Sequence, residues 1–255
     1  MSKFDYNVII IGGGSAGLVS AYIGSTVKAK VALIENHKMG GDCLNTGCIP
    51  SKALIRSTKI LSYIRRHQEF GIKSASAEFN FSEIMDRVQS IIKKIAPHDS
   101  IERYTNLGVN CFSGFAKILS PNQVDINGKI LTTKNIIIAT GAKPTIPAIR
   151  GLDKVEFLTT DNLWNIRELP KRFFILGGGP IGVELSQCFA RLGSKVTLVE
   201  MMPNILTRED DEISYALRKS IEIEGVDVRV KTACKEIIIK NGKYFMICEK
   251  NGQKQ

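Results

Sequence analysis

The sequence is poor in histidine and aromatic residues, and it lacks any long hydrophobic run. Its 255 residues include three histidines, one tryptophan and 7% aromatic residues in all. No apolar run reaches the ~18 residues that a membrane-spanning helix needs. The apolar stretch from Val8 to Ile11 is also too short for the core of a signal peptide. We therefore expect a cytoplasmic protein without a membrane span.

Acidic residues are scarce relative to basic ones, with 25 aspartates and glutamates against 35 lysines and arginines and a net charge of +10. A basic balance suits nucleic acids, anionic membranes or ligands that carry phosphate. The densest basic clusters, IRRH at 64–67 and IIKKI at 91–95, are bounded by apolar residues, as on the solvated face of an amphipathic helix. Because no nucleic-acid-binding motif accompanies them, we expect no nucleic-acid partner.

The hydrophobic pattern predicts two βαβ units. Segment 6–35 has the pattern of a strand, a glycine-rich turn, a helix and a second strand, and segment 172–200 repeats that order. The sequence also predicts helices over 51–66 and 82–107. A proline-containing connection, AKPTIPAIRGL at 142–152, separates the two units. We therefore predict an α/β fold of two tandem Rossmann-like dinucleotide-binding domains, over 1–150 and 151–255.

Both units carry three spaced glycines followed by an acid at the end of the second strand. The first set is Gly12, Gly14, Gly17 and Glu35, and the second is Gly177, Gly179, Gly182 and Glu200. In a nucleotide-binding turn the glycines permit a tight turn, the approach of a pyrophosphate, and close packing of helix on strand. The acid accepts hydrogen bonds from ribose hydroxyls. Glu200 favours NAD over NADP because a carboxylate would repel a 2′-phosphate.

Two of the six cysteines stand in a polar segment, GGDCLNTGCIPSK at 40–52. A zinc site would need two further ligands close to Cys43 and Cys48, and the nearby His37 has no partner ligand, so we expect no metal site. The pair precedes a predicted helix, and a helix N-terminus lowers the pKa of a thiol. Such a pair suits a redox-active disulfide. The remaining cysteines have apolar neighbours and are expected to be small buried thiols: Cys111, Cys188, Cys234 and Cys248.

Four segments together resemble the flavin-dependent pyridine nucleotide-disulfide oxidoreductases, a family that includes dihydrolipoamide dehydrogenase, glutathione reductase and mercuric reductase. The resemblance covers essentially the whole chain, and it places FAD in the first domain and NAD(P) in the second. The four segments are GGGSAG at 12–17, GGDCLNTGCIPSK at 40–52, IIIATGAKP at 136–144 and GGGPIGVE at 177–184.

The resemblance implies that electrons pass from NAD(P)H through FAD to a Cys43–Cys48 disulfide, and then to a disulfide or metal-ion substrate. Cys48 would face the flavin and Cys43 would exchange with the substrate. Lys52 would lie by the flavin, with Glu184 as its ion-pair partner. The implied FAD contacts are Gly12, Gly14, Gly17, Glu35, Lys52, Gly114, Ala116, Thr140 and Gly141. The implied NAD(P)H contacts are Gly177, Gly179, Gly182 and Glu200.

Lys52 and Glu184 also have ordinary interpretations. A lysine at a helix start is usually solvated, and an acid in the first turn of a helix interacts favourably with the helix dipole.

The sequence departs from the family in its histidines, in length and at one local position. Members carry a late His–Glu pair, whereas the histidines here are His37, His67 and His98. The segment that returns to the FAD domain and the domain through which relatives form homodimers have no counterpart. Pro180 stands where several members have a tyrosine. We therefore expect an incomplete enzyme, truncated before the dimerisation domain, and the alternative is a catalytically incompetent dinucleotide-binding fragment.

Overall fold

A computed structural model describes residues 3–254. The strands and helices, numbered in chain order, are β1 (Tyr6–Ile11), α1 (Ser15–Thr26), β2 (Val31–Glu35), α2 (Gly41–Asn45), α3 (Cys48–Arg65), α4 (Phe81–Ile95), α5 (Ile101–Asn106), β3 (Asn110–Ser113), β4 (Ala116–Ser120), β5 (Gln123–Ile126), β6 (Lys129–Ile138), β7 (Arg172–Leu176), α6 (Pro180–Leu192), β8 (Lys195–Val199), α7 (Asp211–Ile223), β9 (Asp227–Arg229), β10 (Thr232–Lys240), β11 (Lys243–Lys250) and β12 (Gln253–Lys254).

The chain divides into two compact units. The first contains the residues up to Pro50 together with Arg87–Pro144, and the second contains Ser51–Asp86 together with the chain from Thr145 onward. Residues 51–86 thus belong with the later unit, although they come early in the sequence. The assignment of FAD and NAD(P) domains to 1–150 and 151–255 stays a prediction.

The first unit is built on a six-stranded sheet of order β3-β2-β1-β6-β5-β4. Strands β3, β2, β1 and β6 are parallel, and β6, β5 and β4 form an antiparallel meander. The central strands are apolar on both faces: Ile9 and Ile10 of β1 and Leu33 and Ile34 of β2 are each at most 1% exposed. Such strands are typical of a parallel sheet that is covered on both sides.

The second unit contains a parallel sheet of order β7-β8-β9 and an antiparallel sheet of order β10-β11-β12. Helix α6 connects β7 to β8, and its Phe189 is fully buried. The ring of Phe189 packs against those of Phe173 and Phe81, with ring centroids 4.3 Å and 6.2 Å away. The α/β class and the parallel sheet predicted from the sequence are therefore confirmed.

The predicted helix over 82–107 is wrong in the middle. Helix α4 ends at Ile95, a 3₁₀ turn covers 96–99, and α5 begins at Ile101. Pro97 lacks the N–H that a continuing helix requires. Ser100 then caps α5 by accepting a hydrogen bond of 3.2 Å from the N–H of Arg103. A proline followed by a capping serine therefore starts a new helix.

Candidate functional site

The first glycine turn lies between β1 and α1. Gly12 has a φ of +110°, and a Cβ at this position would overlap the carbonyl of Ala139. A Cβ at Gly17 would overlap the carbonyl oxygen of Gly12, so only glycine lets α1 pack this closely on the turn. Gly14 is the N-cap residue of α1 and has an open surface: the nearest atom to an added Cβ, on Gly41, would be 3.6 Å away.

Glu35 is fixed beside this turn from the end of β2. Its Oε2 accepts a hydrogen bond of 2.5 Å from the N–H of Gly13, and its Oε1 accepts one of 2.7 Å from the N–H of His37. The N–H of Gly12 donates to the carbonyl of Ile34 at 2.8 Å. The carboxylate that the sequence assigns to a ribose is therefore held by the backbone of the glycine turn.

Three of the other predicted FAD-contacting residues, Gly114, Thr140 and Gly141, follow the carboxyl ends of β3 and β6. Thr140 lies beside Gly12, since a Cβ on Gly12 would be 3.2 Å from the Cα of Thr140. The N–H of Gly114 donates at 2.9 Å to the carbonyl of the residue that ends β2. Ala116 opens β4, and Gly141 follows Thr140 with a φ of +68°. The carboxyl ends of parallel strands thus bring these segments together, as in nucleotide-binding sheets.

The adjacent glycines Gly40 and Gly41, to which the sequence pattern assigned no role, lie against the first turn. The N–H of Gly40 donates to the carbonyl of Gly13 at 2.8 Å. A Cβ at Gly41 would be only 2.7 Å from the Cα of Gly14. The side-chain amide of Asn45 donates to the carbonyl of Gly41 at 2.8 Å and holds this loop. The glycine pair directly before the cysteine motif is the sequence feature that could have revealed this contact.

The second glycine turn, between β7 and α6, repeats these contacts. The Oε2 of Glu200 accepts a hydrogen bond of 2.7 Å from the N–H of Gly178, and its Oε1 accepts one of 2.8 Å from the N–H of Met202. A Cβ at Gly182 would overlap the carbonyl oxygen of Gly177. The two turns therefore share the acid-to-backbone hydrogen bonds and the close packing of the third glycine on the first.

The cysteine pair lies on two consecutive helices. Cys43 is half-buried in α2 and carries a free thiol, and Cys48 is the exposed first residue of α3. Gly47 lets the chain turn back on α2, because a Cβ there would be 3.0 Å from the carbonyl oxygen of Asp42 and 3.7 Å from the Cα of Cys43. Helix α2 begins at Gly41, so the segment that carries the pair starts against the first glycine turn.

Burial raises the pKa of each of the other thiols, to about 11 for Cys188 and Cys234. A thiol with a raised pKa is mostly protonated at neutral pH and reacts slowly as a nucleophile. The raised values belong to Cys111, Cys188, Cys234 and Cys248.

Lys52 and Glu184 meet within the second unit. The Nζ of Lys52, on α3, lies 2.7 Å from the Oε1 of Glu184, on α6. Their side chains are 61% and 33% exposed, so the ion pair adds little to stability. The sequence separates these two residues by 132 positions, and the fold brings them into contact.

The two glycine turns fit dinucleotides. Helices α1 and α6 both begin at glycine N-caps without a side-chain cap, Gly14 and Gly179. Apart from the adjoining backbone, no atom of residues 3–254 lies within 4 Å of the position of a Cβ on Gly179. The open glycine surface and the helix N–H groups suit a pyrophosphate. The fold and site therefore define a dinucleotide-binding α/β protein with a cysteine pair beside its first glycine turn.

Residues 6–254 match the model of the pyridine nucleotide-disulphide oxidoreductase family, and the chain belongs to that family. It is 39% identical to a dihydrolipoyl dehydrogenase of Acholeplasma laidlawii over 93% of this chain and 71% of that relative. It is 34% identical to a mercuric reductase of Bacillus cereus over 99% of this chain and 40% of that relative. The family uses FAD and NAD(P)H for oxidoreductase chemistry at a redox-active disulfide.

A solved structure has the same fold. The HOCl-induced flavoprotein disulfide reductase RclA from Escherichia coli matches with a TM-score of 0.80 and 26% sequence identity. The match covers 98% of this chain and 54% of RclA. The chain thus spans about half the length of this structural relative, and less than half of the mercuric reductase.

Two further properties concern the described residues 3–254. No helix in this range combines the length and apolarity needed to cross a membrane. Within the same range, histidine, cysteine, aspartate and glutamate side chains form no group of three or more that could hold a metal ion.

Proposed function

We propose that this protein is a flavoprotein disulfide oxidoreductase that passes electrons from NAD(P)H through FAD to a Cys43–Cys48 disulfide, and on to a disulfide or metal-ion substrate. The observation that carries the proposal is the contact of Gly41 with Gly14. It starts the cysteine-bearing helix α2 directly against the first glycine turn. Membership of the family supports the same reading.

The two turns have separate roles in this proposal. The first, with Glu35, holds FAD, and the second, with Glu200, holds NAD(P)H. When bound, these cofactors supply the hydride and electron chemistry that protein side chains lack. We further propose a preference for NADH, because the carboxylate of Glu200 is fixed beside its turn and would repel a 2′-phosphate. A ratio of kcat/KM that favours NADPH would contradict this preference.

The cysteine pair carries the exchange with the substrate. In its reduced form, the thiolate of Cys43 attacks a sulfur of the substrate disulfide and releases one substrate thiol. Cys48 then attacks the sulfur of Cys43 and releases the second thiol, leaving a Cys43–Cys48 disulfide. The protein pair thus loses two electrons and two protons, which the substrate disulfide gains. Cys43 is half-buried and Cys48 is exposed, which leaves both side chains partly accessible to a small substrate.

The substrate class stays open within the proposal. One relative is named for dihydrolipoyl, whose oxidised form is a disulfide, and another is named for the mercuric ion. A steady-state assay with NADH and either a lipoyl disulfide or mercuric ion distinguishes the two.

The test begins with the visible spectrum of the purified chain. We expect flavin absorbance, and anaerobic NADH should produce a long-wavelength thiolate-to-flavin charge-transfer band. Cys48→Ser should abolish that band, while Cys43→Ser is the matched control that retains it. A chain without flavin even after incubation with FAD contradicts the proposal. A flavin-containing chain whose band survives Cys48→Ser contradicts the role assigned to that cysteine.

A second candidate is a dinucleotide-binding protein that turns nothing over. It is favoured by the open glycine N-caps Gly14 and Gly179, which suit dinucleotide binding without any catalytic group. In this case the spectra would show flavin and the charge-transfer band, but reduction of added disulfide would not proceed.

A further inference from the structure

The antiparallel hairpin β10–β11 contains a second cysteine pair. Cys234 of β10 is the direct cross-strand partner of Cys248 of β11. The two side chains lie on the same face of the hairpin, because directly opposed residues of an antiparallel pair are side-chain neighbours. Cys234 is half-buried and Cys248 is 3% exposed. Both are free thiols and neither belongs to the site described above.

A β-bulge creates this pairing. Near the hairpin turn Lys240 pairs with Lys243 and Glu236 pairs with Ile247. Continued without interruption, that register would place Cys234 opposite Glu249. The register shifts between Cys234 and Glu236, and Cys248 therefore becomes the partner of Cys234. Bulges insert a residue in one strand and so change which side chains oppose each other.

The geometry suits a disulfide. Directly opposed residues of an antiparallel pair have Cα atoms roughly 4.5–5.5 Å apart. Disulfides join residues whose Cα atoms are about 4.4–6.8 Å apart, a range that includes the spacing of directly opposed residues. Cys234–Cys248 is also the third cross-strand pair from the open end of the hairpin, after Thr232–Lys250 and Ala233–Glu249. A covalent link there restrains the end that is not held by the Asn241–Gly242 turn.

We propose that Cys234 and Cys248 form a second redox site, a cross-strand dithiol that closes to a disulfide by exchange with a low-molecular-weight disulfide. The more accessible thiolate of Cys234 attacks one sulfur of the oxidant and releases the first small thiol. Cys248 then attacks the sulfur of Cys234, the mixed disulfide breaks, and the second small thiol leaves. The protein loses two electrons and two protons, and the oxidant gains both.

The disulfide between Cys234 and Cys248 forms more slowly than one between two ordinary thiols. Burial raises the pKa of Cys234 to about 11, which lowers its thiolate fraction at neutral pH. The thiolate that does form is a stronger nucleophile, and the two effects leave a rate roughly tenfold below that of an unperturbed thiol. The pair therefore forms its disulfide under sustained oxidising conditions and not within a rapid catalytic cycle.

The experiment uses the full chain carrying Cys43→Ser and Cys48→Ser, which removes the first pair. The folded protein is equilibrated with excess oxidised glutathione at mildly alkaline pH, quenched with acid, alkylated and digested for mass spectrometry. We expect a peptide that joins Cys234 to Cys248, lacking two hydrogen atoms and cleaved by dithiothreitol. Cys111 and Cys188 are internal controls that remain alkylated or carry glutathione singly.

Two outcomes would overturn the proposal: full alkylation of Cys234 and Cys248 after equilibration, or a separate glutathione on each. Thermal melting provides a second measurement. The oxidised protein should melt at a higher temperature than the reduced protein, because a link across a loop of about 15 residues restrains the unfolded chain. Cys234→Ala should remove that difference. The mass measurement needs no substitution in the pair, so it decides the question even if Cys234→Ala does not fold.

Discussion

At the scale of single residues, the glycines of the first turn differ in how strictly the packing requires them. Gly17 is required by packing, since a Cβ there would overlap the backbone of Gly12. Gly14 has an ordinary φ of −84° and no atom closer than 3.6 Å to the position of its Cβ. The packing of the fold therefore does not by itself require a glycine at position 14.

Substitution of these glycines should separate stability from binding. We expect Gly14→Ala to change the free energy of unfolding by no more than about 1 kcal/mol. It should weaken FAD binding roughly tenfold or more, a loss of about 1.4 kcal/mol. Gly17→Ala should destabilise the chain by roughly 1–3 kcal/mol through overpacking. Thermal melting and flavin titration measure both effects, and normal FAD affinity in Gly14→Ala would contradict this account.

The Lys52–Glu184 ion pair gives a second prediction for single residues. Because both side chains are partly exposed, Glu184→Gln should cost less than about 1 kcal/mol of stability. If Lys52 serves the flavin, the same change should lower the rate of flavin reduction by NADH in a stopped-flow experiment. Glu222→Gln is the matched control, since Glu222 pairs with Arg218 at 2.8 Å on one helix. Equal reduction rates in both variants would leave Glu184 with a solvated, structural role.

At the scale of elements, the link between α2 and α3 separates the two cysteines of the first pair. Gly47 lies tightly between the carbonyl of Asp42 and the Cα of Cys43. The sequence identified the motif, but it could not show that the linking glycine touches the preceding helix. Similarly, it missed the break at Pro97, because apolar periodicity continues across both α4 and α5.

We expect Gly47→Ala to open the link by a few tenths of an ångström, since the Cβ would approach the Asp42 carbonyl to 3.0 Å. The Cys43–Cys48 disulfide should then form less readily, and its equilibrium with glutathione should move toward the dithiol. Quantitative alkylation in glutathione buffers of stepped composition measures that equilibrium. An unchanged equilibrium in a normally folded variant would refute the role given to Gly47.

At the scale of the whole molecule, the excess of positive charge is dispersed. Several basic side chains are engaged by nearby acids, among them Arg66 with Glu69 and Arg229 with Asp227. Binding to nucleic acid depends on many simultaneous phosphate contacts along one surface. The net charge of +10 alone therefore does not predict such binding.

We expect the chain to elute from immobilised double-stranded DNA at physiological ionic strength. A protein that neutralises many phosphates loses affinity steeply as salt increases. Retention measured over a series of salt concentrations shows directly how steeply the affinity for DNA depends on salt. Tight retention at physiological salt, with a steep dependence on salt, would contradict the expectation that no nucleic acid binds.

The sequence by itself determined the two glycine turns, their acids and the polar cysteine motif, because each depends on backbone geometry within a short segment. The Asn–Gly turns at 127–128 and 241–242 are also local features, since both asparagines have the positive φ that a two-residue hairpin turn requires. Only the tertiary structure decided which distant residues meet. Lys52 finds Glu184 through helix packing, and Cys234 faces Cys248 because one bulge shifts the register. Contacts of this kind depend on packing and strand alignment, which no local pattern encodes.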